Sequence, residues 1–232
     1  MIQLQLEPDV VADLMAEARA ACAYFNDNVG GYGHNKVLSD FKGRALEWAI
    51  EQMSGGVLMR GSQHGFHASE GDLIEYPHVP LAHYEVKECA TYFRNQRGGF
   101  PVTRQHADHY LHNNRGAVFF GEVHTPYPYD MEGHHSVTLY GWAFPSTVRE
   151  APYCYDNVAH DQALRYNRQP RQKYDHIVSL GMLNAMNNDQ DWNDFFDLMH
   201  NERERRFGMA VGSESRQSSL MSTFRNNGGS SS

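Results

Sequence analysis

The stretch that decides the fold is Val57-Leu-Met-Arg-Gly-Ser62, then Phe66-His-Ala-Ser-Glu-Gly-Asp-Leu-Ile-Glu-Tyr76, then Ala82-His-Tyr-Glu-Val-Lys-Glu-Cys-Ala90. Each run alternates apolar with polar residues, and turn-forming residues separate them, with Pro77 and Pro80 before the third. The pattern predicts three consecutive strands. Upstream, Phe41, Ala45, Trp48, Ala49 and Gln52 fall at helical spacing, so a helix is expected from about Ser39 to Met53, capped by Ser39 or Asp40 and stopped by Ser54-Gly55-Gly56.

Working outward, residues 7–25 read as a first helix with Pro8 in its first turn, and 26–35 as a Gly- and Asn-rich loop. Downstream, 103–113 returns to helical spacing with Thr103 as its cap, and Asn114-Arg115-Gly116 stops it. Residues 117–124 and 136–144 read as two more strands, and 159–168, 172–187 and 190–206 as helices. The expected fold is α/β. One domain is expected over 1–210, with a core at about 40–145, a helical addition at about 155–210 and a disordered tail of Ser, Asn and Gly over 212–232.

The 232 residues carry a formal charge of −8, which argues against a nonspecific basic coat for nucleic acid but leaves a local basic groove open. Three widely spaced cysteines make no disulfide framework. With no apolar run long enough to span a bilayer and no signal-like amino terminus, the expectation is a cytosolic protein in a reducing compartment.

Chemistry concentrates in the second and third strands. Asp72 opens Asp-Leu-Ile, and thirteen residues later comes Glu85-Val86-Lys87. In a strand, Glu85 and Lys87 share a face and Val86 points the other way. Taken alone the two charges read as an ion pair on a solvated strand. Inside an apolar sheet they would be costly without a partner, and a divalent metal held by Asp72 and Glu85 would remove that cost. Oxygen ligands suit Mg²⁺ or Mn²⁺. Glu47 on the preceding helix could reach a metal-bound water or a second metal, with Glu51 one turn on as the alternative. Glu75 should face away from the site. Such a set suits phosphodiester hydrolysis.

In this order and element pattern, Glu47, Asp72 and Glu85-Val86-Lys87 resemble the PD-(D/E)XK nuclease superfamily. Gly71 stands where the eponymous motif has proline. The resemblance covers roughly residues 40–124 and implies a restriction-endonuclease-like core of helix, three antiparallel strands, helix and further strand. It implies that Asp72, Glu85 and the Val86 carbonyl bind Mg²⁺ or Mn²⁺, and that Lys87 orients or activates the attacking water. Glu47 would bind a second metal or position water, and Gln105 would lie near the site. The implied activity is a metal-dependent deoxyribonuclease, a structure- or sequence-specific endonuclease ahead of an exonuclease. A non-cutting nucleic-acid-binding protein on the same core is the alternative. DNA is the expected partner, and a two-fold dimer the assembly expected of a junction resolvase or palindrome cutter.

Basic residues near this set, Lys42, Arg44, Arg60, Arg94, Arg97 and Arg104, are candidate phosphate contacts. A denser run, Arg165, Arg168, Arg171 and Lys173, lies farther on. His106, His109 and His112 sit three apart on the predicted helix and read as a polar face, since no His-Glu-x-x-His pattern accompanies them.

Overall fold

Strands fill the centre of the chain, and helices together with further strands flank it. A computed structural model describes residues 1–29, 35–61, 71–75, 81–126, 133–156 and 174–208. The chain opens with β1 (Ile2–Leu6), then α1 (Pro8–Val29) and α2 (Asn35–Met53). Val11, Leu14, Met15, Ala18 and Cys22 form the buried stripe of α1, and Phe41, Ala45, Leu46, Ala49 and Ile50 that of α2. Both helices outrun expectation. Residues 26–29 belong to α1 rather than a loop, and Ser39 and Asp40 lie inside α2 rather than capping it. Asp40 instead accepts the Arg44 Nε at 2.6 Å, an i,i+4 pair that supports continued helix.

Next come β2 (Leu58–Arg60), β3 (Leu73–Glu75), β4 (His83–Glu88), α3 (Thr91–Arg97), β5 (Phe100–Thr103), α4 (Arg104–His112), β6 (Val118–His124), β7 (His135–Ala143) and α5 (Pro145–Glu150). The described chain closes with β8 (Tyr153–Tyr155), β9 (Tyr174–Val178), a 3-10 turn (Leu180–Met182), β10 (Asn184–Ala185) and α6 (Asp189–Phe207). As the sequence predicts, the Thr103 hydroxyl caps α4 by accepting the His106 amide at 3.2 Å. Asn188 caps α6 in the same way.

The main sheet runs β1-β7-β6-β4-β3-β2, with β10 also paired to β7. β2, β3 and β4 form an antiparallel meander. β4 and β6 are parallel, so the chain between them must cross over, and it does so through α3, β5 and α4. β7 returns antiparallel to β6. A separate antiparallel sheet has the order β5-β9-β8. Its presence corrects the helix expected at 172–187. Tyr174, Ile177 and Val178 suit a strand, but the ladders that hold β9 come from distant β5 and β8, which local periodicity cannot reveal. The helical addition expected at 155–210 is therefore part strand and part helix. The helix expected at 159–168 and the tail at 212–232 lie outside the described residues.

Two apolar clusters occupy opposite faces of the main sheet. Tyr84, Val86, Phe119, Val137, Leu139 and Trp142 pack with α1, α2 and α6. Val118, Phe120 and Ala143 pack with β5, α4, α5 and Val178 of β9. A bulge makes this division possible. Phe120 pairs with Gly141 and Gly121 with Leu139, which leaves Tyr140 as the extra residue. The alternation of β7 slips there, so Leu139 and Trp142 face one cluster while Tyr140 joins the other.

A buried charge network fastens α6 to the meander. Arg203, 1% exposed, donates to both Glu75 oxygens and, at 2.8 Å, to the Tyr84 hydroxyl. Tyr84 in turn donates to Glu75 at 2.7 Å. Glu75 thus faces away from Asp72, as strand parity predicts. Among the described residues no helix is long and apolar enough to cross a membrane.

Candidate functional site

Asp72 sits at the doorstep of β3. Gly71 before it has a φ of 114°, and a Cβ there would stand 3.0 Å from the Tyr84 carbonyl oxygen. A proline ring fixes φ near about −65°, so this backbone path excludes the residue that names the motif. The Asp72 amide donates to the Tyr84 carbonyl at 3.0 Å. Its carboxylate accepts the Val86 amide at 2.8 Å. The side chain therefore supplies one more rung where the β3 backbone ladder has ended. The amide and carbonyl of one strand residue share an edge, which turns the Val86 carbonyl toward Asp72 as well.

In β4, Tyr84 and Val86 enter the cluster under α1 and α2, so Glu85 and Lys87 face the opposite side, under α4. Glu85 is 8% exposed and its Oε1 lies 2.8 Å from the Arg115 Nε, which replaces the solvated Glu85–Lys87 pair that the tripeptide suggests when read alone. The Lys87 ammonium sits 5.5 Å from the centre of the Tyr110 ring. His106, one turn earlier on α4, stacks on the same ring at 6.1 Å. Arg115 also brings its Nη2 to 3.5 Å from His109 Nε2.

From the other side, Asp40, Arg44, Glu47 and Glu51 share one stripe of α2. Glu51 accepts the Arg60 amide at 3.3 Å and its Nε at 3.4 Å. Arg44 donates to Asp40, and both Arg44 and Arg60 donate to Glu17 on α1 at 3.2 Å. Glu51 is thereby held on Arg60, while the Glu47 carboxyl feels the charge of Asp72.

The electrostatics bind the set together. Burial, and next the charge of Asp72, push the Glu47 carboxyl up to about 8, against the pull of Arg44 and Arg60. Burial and Asp72 push Glu85 up to about 7, against Arg115 and Lys87. Asp72 is itself raised by burial, opposed by Lys87, the Val86 amide, Arg115 and His106. Burial, Glu85 and Asp72 also raise the Tyr110 phenol. His106 is lowered, first by burial and then by Lys87. Glu47 and Glu85 thus each feel Asp72, and Asp72 and Glu85 feel Lys87, so carboxyls from α2, the start of β3 and β4 act on one another and each resists ionising.

The donor set is all oxygen, which fits a hard divalent cation rather than a thiolate metal. Binding such an ion would draw protons from carboxyls that otherwise hold them near neutrality. Among the described residues, no three His, Cys, Asp or Glu side chains close into a coordination shell as they stand. Asp72 is turned onto Val86, and Glu85 onto Arg115.

Most of the basic residues proposed for phosphate contact have other work. Arg60, 4% exposed, is held by Glu17 and Glu51. Arg94 is buried with its guanidinium carbon 4.1 Å from the centre of the Tyr140 ring. Arg97 makes a bidentate pair with Asp156 at 3.0 and 3.1 Å. Arg44 is the half-buried partner of Asp40 and Glu17, and Lys42 lies 3.7 Å from Glu88. Of the six, Arg104 alone is solvent-facing, its side chain 61% exposed beside Asp108. These placements correct the expectation that all six line a nucleic-acid groove. Arg165, Arg168 and Arg171 lie outside the described residues, as does Lys173.

Gln105 is exposed on α4 without a described partner. The α4 residues whose charge or ring reaches Lys87 are His106 and Tyr110, at helical spacing from one another. In the sequence Arg115 reads as part of the stop after α4 and as one of the basic residues that flank that helix as candidate phosphate contacts; the structure pairs it with Glu85. A second buried polar cluster escaped the sequence reading altogether. Glu122 accepts the Thr91 amide and hydroxyl and, at 3.0 Å, the Tyr140 hydroxyl. Its one signal was a glutamate inside an otherwise apolar run.

Compared with models of protein families, with curated proteins and with solved structures, the chain has no match.

Proposed function

We propose that this protein is a metal-dependent nuclease that hydrolyses phosphodiester bonds of DNA, and that its core is of the restriction-endonuclease-like kind. The observations that carry the reading are the Asp72 carboxylate held on the Val86 amide and the shared face of Glu85 and Lys87 beside it, with Glu47 on α2 feeling the charge of Asp72. The topology supports it. Helix α2 leads into an antiparallel meander, and a crossover containing α4 leads to a strand parallel to β4.

In this reading Asp72, Glu85 and the Val86 carbonyl hold Mg²⁺ or Mn²⁺, with Glu47 at a second position. The ion, when bound, lowers the pKa of water and offsets charge on the phosphate. Lys87 holds the attacking water, with its ammonium kept in place against the Tyr110 ring. Asp72 fixes the Val86 backbone and so the height of the Val86 carbonyl. Arg44 and Arg60 position α2 and favour the ionised form of Glu47. DNA meets a protein of formal charge −8 in which, of the six basic candidates, Arg104 alone faces solvent, so among the described residues contact is local to Arg104 and the neighbours of Lys87. A structure- or sequence-specific endonuclease fits such a surface better than a nonspecific one, and cutting of both strands would call for a two-fold dimer.

A second reading is a non-cutting binding protein on the same core. The observation in its favour is the Glu85–Arg115 pair, which satisfies a carboxylate without metal. Cleavage assays on supercoiled plasmid, linear duplex, single strands and a four-way junction, with Mg²⁺, Mn²⁺ or EDTA, separate the two. The nuclease cuts at least one substrate only with metal and loses cutting in Asp72→Ala. The binding protein retains some of these substrates and cuts none.

A further inference from the structure

Glu85 already has a cation. The Arg115 guanidinium lies 2.8 Å from Glu85 Oε1 with both residues buried, Arg115 at 5% and Glu85 at 8% exposure. The pair is placed by the fold. The Arg115 amide donates to the Tyr110 carbonyl at 3.1 Å, and the next residue, Gly116, donates to the His83 carbonyl at 2.8 Å. Both ends of the pair are thus pinned, one to β4 and one to the turn after α4. Arg115 also neighbours His109, on the same helix as the ring under Lys87.

We propose that Arg115 is a built-in counter-ion that competes with the divalent cation for Glu85, a positioning residue that sets how tightly the site takes metal. This inference rests on the nuclease reading of the same site. The physics is direct. A guanidinium beside a carboxylate lowers the attraction that carboxylate offers a second cation, and repels that cation as well. A buried carboxylate cannot remain uncompensated, so in the absence of metal Arg115 also keeps Glu85 from being an orphaned charge. The exchange therefore has two states. In one, Glu85 rests on Arg115; in the other, Glu85 faces the ion and the guanidinium is parted from it. Loss of the arginine removes the first state and leaves the ion without its competitor.

The test is titration of Mn²⁺ into the full chain at one fixed pH, followed by calorimetry or by the Mn²⁺ electron paramagnetic resonance signal. Arg115→Gln is predicted to bind Mn²⁺ about tenfold or more tightly than the parent, as expected when a unit charge beside the ligand is removed. Its melting temperature without metal should fall, and its rise on adding Mn²⁺ should exceed that of the parent. Arg115→Lys, which keeps the charge, should stay within a few-fold of the parent Kd. A merely structural arginine predicts the reverse order: weaker binding in Arg115→Gln along with weaker folding. Should Arg115→Gln not fold, a crystal structure of the parent with Mn²⁺ decides the matter. Glu85 ligating the ion and parted from Arg115 supports the exchange, while a bound ion with the Glu85–Arg115 pair intact overturns it. If the parent binds no Mn²⁺ at all, the metal reading of the site falls and this inference with it. If the parent binds and Arg115→Gln binds no better, this inference alone falls.

Discussion

The Asp72 carboxylate accepts the Val86 amide at 2.8 Å, so the candidate metal ligand also completes the hydrogen bonding of the strand that carries Glu85 and Lys87. One side chain therefore links the geometry of β4 to the charge of the site. Asp72→Ala should lose both roles, whereas Asp72→Asn keeps an acceptor for the amide and loses only the charge. The expected outcome is that Asn folds near parent stability and that both variants lose the melting-temperature gain that Mn²⁺ gives the parent by mass action. Differential scanning fluorimetry across a Mn²⁺ series checks this, and an undiminished gain in Asp72→Asn would count against Asp72 as a ligand.

Stability should fall as pH rises through the neutral range. Glu47 and Glu85 titrate at about 8 and about 7 in the folded chain, against an ordinary 4.5. Between those values the native state holds more protons than the unfolded state, so unfolding becomes easier with each increment of pH until the folded-state values are passed. Asp72, raised for the same reason, acts in the same direction. Glu202, drawn down to about 2 chiefly by its hydrogen bond from Arg205, titrates below this window. Urea melts at about pH 5, 6.5 and 8 should show the decline, and Mn²⁺ should flatten it because the ion replaces the protons. Glu47→Gln should reduce the slope without metal.

The α6 clasp is a stability element. Arg203→Ala leaves Glu75 buried without its guanidinium, an arrangement that costs about 3–5 kcal/mol in comparable sites. Equilibrium unfolding should show that loss. Arg203→Met paired with Glu75→Leu should recover much of it, since well-packed apolar replacements of a buried pair are often neutral or better.

Gly71→Pro would restore the letter of the nuclease motif and should nonetheless damage this protein. The φ of 114° is closed to proline, and the Cβ approach to the Tyr84 carbonyl is already tight for alanine. Gly71→Ala is expected to cost about 1–3 kcal/mol, with proline costing more. Urea unfolding of the two variants ranks them.

Arginines separate by burial. Arg104→Ala should weaken binding of a short DNA duplex in EDTA and leave the melting temperature unchanged. Arg60→Ala should do the opposite, since Arg60 serves Glu17 and Glu51 rather than solvent. Fluorescence anisotropy beside thermal melts distinguishes them.

The sequence showed the parts of the fold whose signal is local. The meander β2–β4 was visible in period-two alternation, α4 in its Thr103 cap, and the face division of Glu85 and Val86 in strand parity. Strand parity put Glu85 and Lys87 on one face, whereas Glu47 and Asp72 were added from their order along the chain and from the family resemblance. What stayed hidden depends on distant partners. β9 is held by β5 and β8, the α2 stripe is settled by Glu17 on another helix, and Arg115 meets Glu85 only after the α4 crossover has been made. The basic residues were misread for the same reason. Arg60 and Arg97 look alike in sequence to Arg104, and only the carboxylates Glu51 and Asp156 reveal that the first two are internal.

Metal-dependent hydrolysis of DNA, proposed for the Glu47–Asp72–Glu85–Lys87 site, is checked by the nicking of supercoiled plasmid by the parent and by Lys87→Ala. The parent should convert plasmid to nicked or linear form with Mg²⁺ or Mn²⁺ and not with EDTA, and Lys87→Ala, still folded and still stabilised by Mn²⁺, should do so at least a hundredfold more slowly. Cutting by Lys87→Ala at the parent's rate would contradict it.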